Sequence, residues 1–96
     1  MINLKRLGHV NLRVADVEKS RAFYTAVLGF RVTEQDPVHG GVFMTLGENF
    51  HTLDVGQHPD PAHAQRPRGD QVGVAHMAFQ VESYEHGVRL WTVVLE

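Results

Sequence analysis

The chain contains no cysteine, and this absence limits its chemistry at once. Disulfide bonds and thiolate metal sites are excluded, so any bound metal must be held by nitrogen and oxygen ligands. Histidine, by contrast, is abundant. Seven histidines among 96 residues exceed what the packing of so small a chain alone would suggest.

The sequence also lacks a long apolar run, a signal-peptide pattern and any cluster of Lys and Arg. With a formal net charge of -2, it gives no indication of a membrane or a nucleic-acid partner. We therefore predict a cytoplasmic protein. A hydrophobic fraction of 43% over this length predicts one small globular domain with an adequate core.

A strand, a helix and a second strand are predicted in the first third of the chain. Residues 7–14 alternate between apolar and polar side chains, which is typical of a strand with two unlike faces. Asp16 is a favourable N-cap for a helix over 17–28, and Gly29 stands where a helix commonly ends. The strand 30–34 follows.

Two more strands are predicted over 42–46 and 50–55, after a turn at 36–41 that contains one proline and two glycines. Residues 1–55 thus form a complete βαβββ module. Its helix covers one face of a small sheet and leaves the other face open. Residues 56–71 are rich in proline and nearly free of apolar side chains, so we interpret them as a linker loop.

The module begins a second time. A gapless shift that lays His9 over His76 also aligns the strand and helix patterns, which indicates a duplicated unit. We therefore predict an α+β fold in which 72–96 form an incomplete second module, with a strand at 72–81 and a helix at 83–95. An extended conformation for 90–95 is the alternative, because three adjacent residues there are β-branched. The identical pairs are His9/His76, Val14/Val81, Glu18/Glu85, Thr25/Thr92, Val27/Val94 and Leu28/Leu95.

The two aligned histidines are the first candidate metal ligands. Strand alternation places His9 on the open face, and His76 holds the same register in the repeat. A single strand histidine is usually a surface residue, but two equivalent ones favour a shared divalent metal.

Asp54 is the best candidate for a carboxylate ligand, because Leu53 and Val55 take the packed face of their strand and turn Asp54 to the open one. Its alternative role is to cap the turn after the strand. His51 has the parity of the packed face, but it lies near the strand start and could reach the cavity rim. The remaining histidines are interpreted as solvated: His39, His58, His63 and His86.

Asn11 and Arg13 share the open face with His9, and we predict that they orient a substrate. Arg13 could bind an anionic group through a bidentate contact. Both are equally consistent with ordinary exposed strand residues.

Several segments of the sequence resemble those of a known superfamily. The sequence HVNLRVAD from His9, the pair Phe23-Tyr24, and Leu-Gly-Phe at 28–30 are similar to the opening module of vicinal oxygen chelate proteins. This superfamily includes glyoxalase I, bleomycin-resistance proteins, fosfomycin-resistance enzymes and extradiol dioxygenases. The resemblance implies paired βαβββ modules around a divalent metal, with His9 and His76 as ligands. Glyoxalase-type members add a carboxylate at the position of Asp54.

The resemblance favours a metal-dependent enzyme of the extradiol-dioxygenase or glyoxalase type, with a slight preference for the dioxygenase branch. Fe(II) is the first expected ion, and Mn, Ni and Zn are alternatives. The expected substrate is a small molecule, aromatic or with adjacent oxygens. Because the second module is incomplete, we expect a homodimer, and activity of the chain alone stays open. The alternatives are a metal-free binding module of the bleomycin-resistance type and an inactive remnant.

Overall fold

The computed structural model describes residues 1–79 and the strand residues Thr92–Val93. It divides the chain into two compact units, Met1–Ala64 and Gln65–Glu96. The boundary falls inside the segment interpreted above as a linker.

The first unit has the predicted βαβββ order, and the α+β class is confirmed. Its helix, Val17–Ala22, continues directly into a single π-helical turn at Phe23–Val27. A short 3-10 turn at Pro61–His63 follows the last strand. The strands and the helix are β1 (Val10–Val14), α1 (Val17–Ala22), β2 (Arg31–Gln35), β3 (Val42–Thr45) and β4 (Leu53–Gln57).

The four strands form one sheet in the order β1-β4-β3-β2. Strand β4 runs parallel to β1 and antiparallel to β3, and it is therefore an inner strand. Its residue Asp54 lies opposite Asn11 on one side and opposite Phe43 on the other. Since paired residues project to the same side of a sheet, this register decides which side chains share the open face.

The other face of the sheet is the core, and the predicted alternation is confirmed there. Leu12 and Val14 of β1 are buried, whereas Asn11 and Arg13 between and before them are exposed. The remaining buried apolar residues come from the other strands, from the helical turn and from the start of the next strand: Tyr24, Phe30, Val42, Met44, Leu53 and Val55.

Both predicted helix caps are confirmed. The Asp16 carboxylate accepts hydrogen bonds from the backbone N–H groups of Glu18 and Lys19, each at 3.1 Å. Gly29 has a φ of 78°, in the left-handed region that favours glycine. Its conformation lets the Phe30 N–H donate to the carbonyl of Tyr24 at 2.9 Å.

The π-helical turn carries one aromatic side chain that reaches the core. Leu28 donates its N–H to the carbonyl of Phe23, five residues earlier. Tyr24 is buried, while Phe23 and Val27 are exposed.

One side chain ties the helix to the sheet. The Gln57 side-chain amide donates to the carbonyl of Ala15 at 2.6 Å, and its oxygen accepts from the Val17 N–H at 3.0 Å. Gln57 belongs to β4 and lies opposite Val14 of β1. The turn between β1 and α1 is thus held by the end of the central strand.

In the second unit, β5 (Met77–Ala78) pairs antiparallel with β6 (Thr92–Val93). The strand predicted over 72–81 is therefore much shorter among the described residues. The helix predicted over 83–95 lies outside them except at Thr92–Val93, where it is wrong and the extended alternative holds. Both residues are β-branched and favour strands. No helix among the described residues is long and apolar enough to cross a membrane.

Candidate metal centre

The centre of the open face is the carboxylate of Asp54. Asp54 is the second residue of β4, and only 3% of its surface is exposed. A buried carboxylate is unfavourable unless it is paired or hydrogen-bonded. Because β4 continues to Gln57, Asp54 does not end the strand, and the alternative that it caps the following turn is wrong.

Two imidazoles meet this carboxylate, one at each oxygen. His51 Nδ1 lies 2.6 Å from Asp54 Oδ1, and His9 Nε2 lies 3.8 Å from Asp54 Oδ2. The two imidazole rings are 4.6 Å apart between centroids. We call these three residues the imidazole–carboxylate cluster. Their potential ligand atoms all lie within 4.8 Å of one another.

The backbone brings the two histidines together. His9 immediately precedes β1, and the next residue, Val10, donates its N–H to the carbonyl of Thr52 at 3.0 Å. Thr52 directly follows His51 in the chain. The parallel pairing of β1 with β4 therefore starts at the point where both histidines enter the open face.

Two phenylalanines surround the imidazole of His51. Phe43 stacks on it with centroids 4.9 Å apart and planes tilted by 24°. The ring of Phe50 lies 4.8 Å from it between centroids and nearly perpendicular to it, with planes at 88°. Such contacts restrict how an aromatic ring can rotate. Phe43 occupies this position because its strand register sets it opposite Asp54.

The structure thus brings together His9 and Asp54, the two candidates from the first module, and adds His51. Parity had assigned His51 to the packed face. The residue lies two positions before β4 begins, so strand alternation does not govern its direction. The signal that could have found it is its spacing three residues before Asp54, since both other aspartate–histidine pairs with this spacing also make contact.

The other predicted site residues lie elsewhere. His76 is exposed in the second unit, directly before β5, and its role as a ligand stays a prediction. Asn11 and Arg13 are exposed, on the face that also carries Asp54. Among the described residues Arg13 has no hydrogen bond or ion pair. It lies opposite Gly56, so no side chain of β4 stands beside it.

The histidines predicted to be solvated differ in detail. His39 and His63 are exposed, and each pairs with an aspartate three residues before it, Asp36 or Asp60. His58 is half-buried rather than solvated, and its Nδ1 accepts a hydrogen bond from the backbone N–H of Asp60 at 2.9 Å. His86 lies outside the described residues.

The cluster fits a divalent cation. Imidazole and carboxylate ligands suit Fe, Zn, Ni and Mn ions. Two atoms bound to one tetrahedral ion at about 2.1 Å lie about 3.4 Å apart. The 3.8 Å between His9 Nε2 and Asp54 Oδ2 is close to this value.

A family model matches most of the chain. The model of the Glyoxalase/Bleomycin resistance protein/Dioxygenase superfamily matches residues 6–90. The chain belongs to this superfamily. Its described four-stranded sheet and helix are consistent with a βαβββ module of this superfamily, and the resemblance drawn from the sequence is confirmed.

Individual relatives have different functions. A bovine mitochondrial methylmalonyl-CoA epimerase is 53% identical over 84% of this chain and 49% of its own length. Uncharacterized protein YwkD of Bacillus subtilis is 33% identical over 90% of this chain and 69% of its own length. Catechol-2,3-dioxygenase of the same bacterium is 33% identical over 51% of this chain and 17% of its own length. The chain thus spans about half the length of the epimerase that it matches. No solved structure is a significant match.

Proposed function

We propose that this chain is the metal-binding part of a divalent-metal-dependent enzyme, whose substrate binds the ion through two adjacent oxygens. The observation that supports this most strongly is the buried Asp54 carboxylate with an imidazole at each oxygen. Membership of a superfamily that contains metal-dependent enzymes adds to it. The predicted set of His9, His76 and Asp54 is retained, with His76 supported by sequence equivalence alone.

A divalent ion at the imidazole–carboxylate cluster would act as a Lewis acid and as a template for the substrate oxygens. The side chains of the open face would then orient the rest of the substrate. Arg13 lies two strand positions beyond Asn11, about 7 Å from the level of Asp54. We propose that the Arg13 guanidinium binds an anionic group of the substrate. We also propose that Asn11 donates a hydrogen bond to the part of the substrate that lies between this group and the ion.

The comparisons favour an isomerase or epimerase reaction over ring cleavage. The epimerase match covers 84% of this chain, whereas the dioxygenase match covers only 51%. We therefore propose acyl thioesters with a neighbouring carboxylate as the first substrates to test, a class to which the relative's methylmalonyl-CoA belongs. The preference is the reverse of the slight one drawn from the sequence.

The test is proton exchange at the α-carbon of methylmalonyl-CoA in deuterated water, followed by proton NMR. We expect exchange with protein loaded with Fe(II), Mn, Ni or Zn, and loss of exchange when a chelator is added. Arg13→Leu should exchange at least about tenfold less, because an ionic hydrogen bond contributes about 1.5–3 kcal/mol. Lys19→Leu is the matched surface control. Cleavage of a catechol by the Fe(II) form, without α-exchange, would replace epimerisation by ring cleavage.

A metal-free binding module of the bleomycin-resistance type is the second candidate. It is favoured by Leu46 and Phe50, which are exposed although they are large and apolar. Phe50 and Phe43 contact each other edge to face and could hold an aromatic ligand. Binding of an aromatic drug with equal affinity in the presence and absence of a chelator would support this candidate.

We also propose that two copies of the chain associate. Large apolar side chains are exposed at several points of the first unit, including Phe23, Val27 and Leu46. Light scattering at micromolar concentration should give twice the mass of the chain. A single-chain mass would contradict the dimer.

A further inference from the structure

The three members of the cluster do not contact one another alike. We propose that His51 is a positioning residue, which holds the Asp54 carboxylate by a hydrogen bond and leaves ion binding within the cluster to His9 and Asp54. This inference rests on the proposed metal site and assigns different roles within it.

The two imidazoles lie at different distances from the Asp54 carboxylate. The His51 Nδ1 to Asp54 Oδ1 separation of 2.6 Å is that of a short hydrogen bond between an imidazole and a carboxylate. Two atoms bound to one ion at 2.0–2.2 Å must lie about 3 Å or more apart in tetrahedral or octahedral geometry. The His51–Asp54 pair would have to separate to share an ion, whereas the His9–Asp54 pair would only have to approach slightly.

The hydrogen bond also restricts which nitrogen of His51 could bind an ion. If His51 Nδ1–H donates to Asp54, only the other ring nitrogen, Nε2, has a free lone pair. The hydrogen bond of one ring nitrogen fixes which nitrogen remains as a ligand. An ion between Asp54 Oδ2 and His9 Nε2 would then use neither His51 Nδ1 nor the oxygen that accepts its hydrogen bond.

The surroundings of the two imidazoles differ as well. The His51 side chain is 20% exposed, stacks on Phe43 and contacts the ring of Phe50 at nearly a right angle. The His9 side chain is 51% exposed and open to an arriving ion. A fixed, half-buried donor suits an orienting role, because it restrains the carboxylate before the ion arrives.

The consequence is a carboxylate with two distinct oxygens. Oδ1 accepts the hydrogen bond from His51, and Oδ2 faces His9 as the ligand atom. Outer-shell partners of this kind typically contribute about 10- to 100-fold to metal affinity without changing the ligands themselves.

The experiment uses Co(II) as the probe and compares the wild type with His51→Ala and His51→Gln. We expect Co(II) binding to weaken about 10- to 100-fold in His51→Ala, with the same number of bound imidazoles by X-ray absorption and an unchanged visible spectrum. His51→Gln, whose amide N–H can still donate to Asp54, should recover part of the affinity. His39→Ala is the control for loss of a paired histidine.

A second readout needs no metal. In the metal-free protein, nitrogen-15 NMR of the histidine rings should show His51 with its proton on Nδ1. A proton on Nε2 would overturn the inference, as would unchanged Co(II) affinity in His51→Ala. The loss of one bound imidazole in His51→Ala would show that His51 is a ligand. It would overturn this inference and leave the proposed metal site standing. A wild-type protein that binds no Co(II) would overturn the proposed function and the orienting role with it.

Discussion

Two histidine–aspartate pairs of this protein have the same sequence separation and nearly the same contact, yet they lie in opposite surroundings. His51 and Asp54 approach to 2.6 Å, and His39 and Asp36 approach to 2.9 Å. The first pair is 20% and 4% exposed and lies on the open face of the sheet. The second is 82% and 28% exposed and belongs to the turn between β2 and β3.

The difference lies in what else each carboxylate contacts. Asp36 accepts hydrogen bonds from the backbone N–H groups of Val38 and His39, so it serves its own turn. Asp54 accepts no backbone hydrogen bond among the described residues, and its second oxygen faces His9. The contact between imidazole and carboxylate does not mark a site. What distinguishes Asp54 as a candidate ligand is its burial together with an oxygen that is left for an outside ligand.

The largest expected effect comes from the two carboxylates. Asp54→Asn keeps the shape of the side chain but removes the negative charge that an ion requires, so we expect metal affinity to fall by more than about 100-fold, beyond the usual outer-shell effect. Asp36→Asn should leave affinity unchanged. Calorimetric titration with Co(II) or Zn measures both, and equal affinities in the two variants would remove the distinction between the pairs.

The next effect concerns the histidines that differ in the same way. His9→Ala removes the nitrogen 3.8 Å from Asp54 Oδ2 and should lower the bound metal to below half of the wild-type content. His39→Ala removes a histidine from the exposed pair and should retain all of it. Elemental analysis after desalting measures the content. Full metal content in His9→Ala would exclude His9 as a ligand.

A smaller effect is expected from the aromatic contact that only the buried pair has. Phe43→Leu removes the ring stacked on His51 and should lower the free energy of unfolding by about 1 kcal/mol. It should also weaken metal binding, by about tenfold at most, since it acts through His51. Phe23→Leu, on the exposed helical turn, is the control for loss of a ring. Denaturant unfolding and metal titration separate the two effects, and unchanged metal affinity in Phe43→Leu would contradict the restraint on His51.

The smallest effect is the acid dependence of the exposed pair. The backbone N–H of Val38, followed by the side chain of His39, lowers the pKa of Asp36 below its ordinary 3.8. A lowered pKa in the folded state contributes stability above 3.8, and that stability is lost as the pH falls through the folded value. The melting temperature of Asp36→Asn should therefore lie slightly below that of the wild type at pH 6, with the gap closing below pH 3.8. A gap that is constant with pH would contradict this.

The sequence predicted the framework of the first unit from local rules. Alternation in β1 and the caps at Asp16 and Gly29 need only neighbouring residues, and each is present in the structure. The same parity rule turned Asp54 to the open face, because Leu53 and Val55 had to be buried.

The remaining features depend on contacts distant in sequence. His51 precedes β4, so no periodicity applies to it, and its position follows from the Val10–Thr52 hydrogen bond and the ring of Phe43. Helical spacing did not predict the π-helical turn, in which Tyr24 is the buried residue. Equivalence with His9 gave His76 a predicted role, which a metal-binding measurement on His76→Ala would test.

The central claim is that the imidazole–carboxylate cluster holds a divalent ion. The most direct measurement is elemental analysis of the wild-type protein, incubated in turn with Fe(II), Mn, Ni and Zn and then passed through a desalting column. We predict about one ion retained per chain for at least one of these metals, and competition among the metals would then identify the preferred ion. A wild-type protein that retains none of the four would contradict the claim.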